Sequence, residues 1–152
     1  MFTLDDIVQG NPTARIEGGP GEPDLVFRSA HHDSRQIEPG DLFAAIKGAK
    51  VDGHSFIPAV ARAGARGALC TEAASDVPSA FLQIVVPNVV EALQATARVR
   101  VARQQGTTFI GITGSNGKTS TKEAVAAVLS RQAPTLKTQA SYNSDLGYPL
   151  TL

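Results

Sequence analysis

Residues 107–125 read TTFIGITGSNGKTSTKEAV, and the order of residue types in this stretch decides the fold. A β-prone apolar run (Phe109, Ile110, Ile112) ends in a glycine loop, and an alanine- and valine-rich segment with helical spacing follows. Strand, glycine loop and helix in succession form a context suited to phosphate. Glycine lets backbone N–H groups converge where a Cβ would obstruct them. The new helix adds unpaired amides and the positive end of its dipole. Lys118 offers a mobile charge for β- and γ-phosphates, and Thr119 a hydroxyl for a phosphate-bound Mg²⁺. The general rule G-x-x-x-x-G-K-[ST] is not met, because Ile112 stands five residues before Gly117 and the nearest glycines are Gly111 and Gly114. A glycine-rich turn that only starts a helix, with Lys118 solvated, is the alternative. Nucleotide binding is the reading favoured by the flanking elements.

Upstream of this stretch, strands and helices alternate. TLDDIVQG (3–10) places Leu4, Ile7 and Val8 on one helical face with Thr3 as N-cap. GGPGEP (18–23) is a loop, and EPGD (38–41) is a turn with Pro at its second position. DLVFRSA and GDLFAAIKG flank that turn and are expected as strands. SFIPAVARAGA is expected as a helix capped by Ser55, with Pro58 in the first turn. RGALCTEA and AFLQIVV are expected as strands. NVVEALQATARVRVARQQ follows as a helix with Asn88 and Glu91 at capping-box spacing and Val90, Leu93, Ala97 and Val101 on one face. TTFIGITG is expected as a buried strand, KTSTKEAVAAVLSRQ as a helix with Val125, Val128 and Leu129 inward, and TLKT (135–138) as the start of another strand.

Alternation of this kind predicts an α/β fold with mostly parallel pairing. Residues 1–106 form one small α/β domain, and residues 107–152 begin a second, P-loop ATPase-type parallel-sheet domain. One strand, a loop, a helix and a strand fragment cannot close a core alone, so the chain is expected to be the front part of a longer protein.

The totals narrow the function classes. The chain has 152 residues, 42% of them hydrophobic and 18% charged, enough to pack a core and too apolar for wholesale disorder. Fourteen Lys and Arg balance fourteen Asp and Glu, so no basic stripe advertises nucleic acid as a partner. The N-terminus carries acids where a secretory signal carries basic residues. No apolar run approaches the roughly 20 residues of a membrane span. A cytoplasmic protein without membrane insertion is expected. The single Cys70 suits a reducing compartment and is expected to be a small buried hydrophobe at a strand end. His31, His32 and His54 lack metal-ligand spacing with any Cys or acidic cluster.

Three segments in order carry a resemblance. TGSNGKTSTKE (113–123) resembles the ATP loop of the Mur ligases, which build the bacterial cell-wall peptide. Those enzymes carry T-G-[ST]-x-G-K-[ST], which accounts for the missing glycine. DSRQIEPGDLFAAIKGAKVDGHSFIPAVARAGARGAL (33–69) resembles the first domain of the tripeptide- and pentapeptide-forming members, the domain that takes the UDP end of the substrate. TQASYNSDLGYPLTL (138–152) resembles T-x-G-N-x-N-N-x-x-G-x-P-x-T-L, typical of the branch that adds D-alanyl-D-alanine, and Lys122-Glu123 agrees with that branch. Asn143, Gly147 and Pro149 keep that pattern, whereas Ala140, Ser141 and Ser144 depart from it.

The resemblance implies ATP-dependent amide formation through an acyl phosphate, with ATP and Mg²⁺ as cofactors. The substrates implied are a UDP-N-acetylmuramoyl peptide and D-alanyl-D-alanine, and the implied parent enzyme is a monomer. Thr113, Gly114, Ser115, Asn116, Gly117, Lys118, Thr119, Ser120 and Asn143 would contact ATP. Lys118 would act as the catalytic cation, and Thr119 would bind the metal. For the UDP end it points to Ser34 and Arg35, a hydroxyl and a guanidinium at a strand end, suited to uridine or pyrophosphate oxygens. An Asp33–Arg35 surface ion pair that steadies a turn is the alternative reading of the same residues. Asp52-Gly53 in VDGHSF is either part of a neighbouring loop or a plain turn. The alternatives for the whole are the related ligase that adds the third residue, diaminopimelate or lysine, and a non-catalytic module that holds a UDP-sugar or nucleotide.

Overall fold

The computed structural model describes residues 1–48, 51–138 and 149–150. Its centre is a five-stranded sheet of order β2-β7-β6-β5-β4. β4 (Ala30–His31), β5 (Leu42–Ala44), β6 (Gly67–Cys70) and β7 (Leu82–Val85) run parallel. β2 (Arg15–Glu17) closes one edge antiparallel to β7. Every residue of β5, β6 and β7 is buried, as expected for parallel strands covered on both faces. Side-chain alternation sorts them. Leu42, Ala44, Leu69, Leu82 and Ile84 face α1 (Leu4–Gly10) and α3 (Val89–Arg103), while Phe43, Ala45, Ala68, Cys70 and Val85 face α2 (Ile57–Arg62). The result is a three-layer α/β unit, in agreement with the expected class.

α1 has a reciprocal cap, as Thr3 predicted. The Asp6 amide donates to Thr3 Oγ1 at 3.2 Å, and the Thr3 amide donates to Asp6 Oδ2 at 2.9 Å. The same buried carboxylate receives Arg103 Nη1 from α3 at 2.5 Å, and Arg103 Nη2 reaches Asp5 Oδ2 at 2.6 Å. The two helices meet so closely that a Cβ on Gly10 would lie 2.8 Å from the Ala95 carbonyl carbon. Burial pushes the Asp6 carboxyl up, but the bonds from Thr3 and Arg103 outweigh it and hold the group below its ordinary value.

Asp6→Ala removes the carboxylate half of the capping box, while Thr3 Oγ1 still accepts the residue 6 amide, and it takes the buried carboxylate away from Arg103 and Arg100. Because Arg103 is partly exposed, its charge regains water, and the expected loss is about 2 kcal/mol. That corresponds to a thermal midpoint lower by roughly 4–8 °C. A carboxyl lowered by folding contributes stability above its unfolded value and loses it as pH falls through the folded one. The gap between wild type and variant is therefore expected to narrow below about pH 4. A pH-independent gap in thermal melts would contradict this.

Several sequence expectations need correction. DLVFRSA is two strands: β3 (Val26–Phe27) pairs antiparallel with β1 (Phe2–Thr3), and β4 joins the main sheet. Ser55 does not cap α2. Asp52 caps a 3₁₀ turn (Gly53–Phe56) that leads into α2, and Pro58 sits in the first turn as expected. In α3, Asn88 caps through Val90 and Glu91, but the buried face is Val89, Ala92, Leu93, Thr96 and Ala97, displaced from the expected one. TTFIGITG is not a paired strand: Phe109 and Ile110 are half exposed, and no described strand lies alongside to take its backbone hydrogen bonds. For the same reason residues 135–138 form no strand. Val128, expected inward, is 64% exposed on α4 (Lys118–Leu129). A periodic pattern marks the face a helix can bury; burial itself needs a covering element, and none of the described residues supplies one there.

Candidate functional site

The glycine loop opens α4 in the way the phosphate reading requires. Gly117 is the N-cap with φ 76°, a left-handed conformation, and Gly114 has φ 148°. The first intrahelical bond runs from the Thr121 amide to Gly117 O at 2.9 Å. The amides of Lys118, Thr119 and Ser120 therefore precede the helical ladder at the positive end of a 12-residue helix. No heavy atom would lie within 4 Å of a Cβ on Gly117, so the space over the loop is open. Lys118 reaches back across it, and its Nζ donates to Gly114 O at 2.5 Å and Ser115 O at 3.3 Å.

Thr113, Gly114, Ser115, Asn116, Gly117, Thr119 and Ser120 are all exposed. Convergent amides, a lysine held over a loop of carbonyls and open space are a donor set that fits a polyphosphate. Thr119 supplies a hydroxyl for a phosphate-bound cation; among the described residues no cluster of three or more His, Cys, Asp or Glu could hold a metal by itself. Asn143, with Ala140, Ser141 and Ser144, lies outside the described residues. Behind the loop, Lys122 Nζ donates to Thr138 O at 2.6 Å, and Glu123 pairs with Lys137. Lys137 is the first of the groups that hold the Glu123 carboxyl below its ordinary value.

A second set of polar groups collects where β4, β5 and β6 end, the edge at which parallel α/β sheets take ligands. After β4, residues Ser34–Gln36 form a 3₁₀ turn. Asp33 accepts the Arg35 amide at 3.0 Å and its guanidinium through Nε at 2.9 Å and Nη2 at 2.7 Å. Those bonds hold the Asp33 carboxyl well below the usual range. The ion pair of the alternative reading is present, and the Arg35 side chain, 86% exposed, faces solvent beside a half-buried Ser34.

After β5, the chain turns back on itself. Gly53 N donates to Ile46 O and Gly48 N to Val51 O, both at 2.9 Å, and Lys47 bridges Asp52. A Cβ on Gly53 would lie 2.7 Å from Ile46 N and O, so glycine is needed there for close approach. His54 then ties this loop to the end of β6. Its Nε2 accepts the Thr71 amide at 2.9 Å, and its Nδ1 lies 2.6 Å from Asp52 Oδ1. Sequence reading weighed His54 only as a metal ligand and missed this bracing role; the Asp-x-His spacing, in which a capping carboxylate meets the ring two residues on, was the available signal.

Cys70 is fully buried, and burial pushes its thiol up to about 11, so it packs as a small hydrophobe. Among the described residues no helix is long and apolar enough to cross a membrane.

Comparison with known proteins agrees with this arrangement. The family pattern described as "Mur ligase family, catalytic domain" matches residues 28–106, and "Mur ligase middle domain" matches residues 112–152. The chain is 37% identical over 152 residues to the UDP-N-acetylmuramoyl-tripeptide–D-alanyl-D-alanine ligase of Escherichia coli, covering 100% of this chain and 31% of that protein. It is 40% identical over 116 residues to the UDP-N-acetylmuramoyl-L-alanyl-D-glutamate–2,6-diaminopimelate ligase of Gloeobacter violaceus, covering 74% and 23%.

Among solved structures, MurF from Acinetobacter baumannii superposes with a TM-score of 0.81 at 32% identity, over 99% of this chain and 32% of that one. MurF ligase from Thermotoga maritima in complex with ADP superposes with a TM-score of 0.70 at 32% identity, over 86% and 30%. The chain thus spans about a quarter to a third of the length of these relatives.

Proposed function

We propose, from the premise that this chain belongs to the Mur ligase family, that it contributes the UDP-substrate domain and the phosphate loop of an ATP-dependent ligase. That ligase joins D-alanyl-D-alanine to a UDP-N-acetylmuramoyl tripeptide in the synthesis of peptidoglycan precursors. The observation that carries this is the glycine-wrapped head of α4 with Lys118 lying across it. Relatives named for that reaction, and a solved relative in complex with ADP, support it. Residues 1–106 take the UDP end and residues 107–152 begin the ATP domain, in the cytoplasm.

A carboxylate is a poor electrophile. In the proposed reaction its oxygen attacks the γ-phosphorus, ADP departs, and the dipeptide amine displaces phosphate from the acyl phosphate to form the amide. The amides of residues 118–120 orient the polyphosphate, with Thr113 to Gly117 forming the rest of the cradle. Lys118 offsets charge that develops on the β–γ bridge and γ-oxygens. Thr119 Oγ1 is the protein ligand offered to Mg²⁺, whose chemistry when bound is to neutralise phosphate charge. Ser34 and the solvent-facing side of Arg35 receive the UDP end.

The test is a ligation assay on the full-length polypeptide that carries this chain, supplied with ATP, Mg²⁺ and the UDP-N-acetylmuramoyl di- or tripeptide. Phosphate release and product with D-alanyl-D-alanine, and none with diaminopimelate or lysine, is the expected result. The reverse preference would select the third-residue reading that the diaminopimelate ligase relative keeps open. No turnover with either would favour a binding module.

A further inference from the structure

We infer that His54 is a positioning residue for the UDP-bearing substrate, acting through the loop that leaves β5; this rests on the function proposed above. Three segments leave the same edge of the sheet: residues 33–36 after β4, the described residues 45–48 and 51–53 after β5, and Thr71 after β6. The first of these carries Ser34 and Arg35. In the second, the Gly53–Ile46 and Gly48–Val51 bonds and the Lys47–Asp52 bridge hold the two described ends together. The Ala45 amide donates to Leu69 O at 2.8 Å and Ile46 packs on the core, which anchors the start of the loop to the sheet. His54 anchors its far end.

The ring is fixed at both nitrogens. Because Nε2 accepts the Thr71 amide, it carries no proton, and Nδ1 holds the proton toward Asp52 Oδ1. Asp52 meanwhile accepts the His54 amide at 3.0 Å, and Ser55 Oγ donates to Asp52 O at 2.7 Å. One imidazole therefore joins the cap of the 3₁₀ turn to the strand end next door.

Asp52, His54 and the Thr71 hydroxyl, 3.0 Å from Nε2, have the distances of an activated nucleophile. The same Nε2 lone pair is already taken by the Thr71 amide, which leaves no free base for the hydroxyl. The arrangement braces a loop; it does not generate a nucleophile. A brace between adjacent loops at the carboxyl edge sets the gap between them, and that gap is where the UDP end would be read.

The test is titration of uridine 5′-diphosphate, and separately of ADP, onto the full-length polypeptide as wild type, His54→Ala and His54→Gln. His54→Ala is expected to weaken UDP uptake at least tenfold and leave ADP uptake within about twofold. His54→Gln places an amide oxygen where Nε2 was, accepts the Thr71 amide, and is expected to recover UDP uptake to within about threefold of wild type. A variant that merely loosened the fold would weaken both nucleotides together and would overturn the inference. So would wild-type UDP affinity in His54→Ala, or a His54→Gln protein as weak as His54→Ala. If wild type takes up ADP but no UDP, the assignment of the UDP end falls and the inference falls with it; wild-type UDP uptake that ignores His54 removes the positioning role alone.

Discussion

Lys118→Ala is expected to lower ligation by the full-length polypeptide about 10²–10³-fold at saturating ATP, the loss typical when one donor aimed at developing transition-state charge is removed. Lys118 Nζ rests on Gly114 O and Ser115 O, so the ammonium already lies over the loop before any phosphate arrives. Little reorganisation is then required when the γ-phosphoryl group moves. Lys118→Arg keeps the charge but replaces a compact donor with a planar fork, which fits a lysine's point-charge role poorly. It is expected to recover only part of the rate. The thermal midpoint of either variant is expected within about 2 °C of wild type, because the side chain lies on the surface of a loop rather than in a core. Phosphate-release kinetics at saturating substrates check this.

Phe27→Ala is expected to be strongly destabilising, at about 3–5 kcal/mol. Phe27 is fully buried and stacks on Phe2 with ring centroids 5.3 Å apart. It lies in the same cluster as Leu4, Ile7, Leu42 and Leu82, so the space it leaves is bounded by α1 on one side and the sheet on the other. Neither side can collapse freely: α1 is tied to α3 by Arg103 and by Asn11, whose amide reaches Ile7 O, Ala92 O and Thr96 Oγ1. A rigid surround leaves the cavity open, which places the cost toward the upper end of the range. A thermal midpoint lower by roughly 10 °C or more is the expected readout. A shift under 3 °C would mean that the Phe2–Phe27 contact is not part of the core.

The legible parts of the fold were those in which local chemistry and tertiary packing agree. Thr3, Asn88 and the Pro39-Gly40 turn were readable because a cap or turn is specified by the residues that make it. Strands β5, β6 and β7 were readable because burial on both faces leaves continuous apolar runs. Edge elements were harder. Arg15–Glu17 alternates charge and a half-exposed isoleucine, which looks like any polar loop until β7 stands beside it. The division of residues 24–30 between two sheets depends on partners distant in sequence, so no local pattern announces it.

At the site, the order of glycine loop and helix was legible because it is a local feature of the chain, and α4 does begin at Lys118 after Gly117. Long-range ties were invisible for the opposite reason. Arg103 and Asp6 are nearly a hundred residues apart, and His54 meets Thr71 only because β5 and β6 are neighbours. Phe109 and Ile110 read as a buried strand because their residue types demand cover, yet cover is a property of the surroundings.

The central claim is that the amides at the head of α4, together with Lys118, hold the polyphosphate of an adenine nucleotide. Isothermal titration of ADP with Mg²⁺ onto the full-length polypeptide addresses it most directly. Saturable one-to-one uptake that weakens at least tenfold in Lys118→Ala is the predicted result. Absence of uptake by wild type, or uptake unchanged by Lys118→Ala, would contradict it.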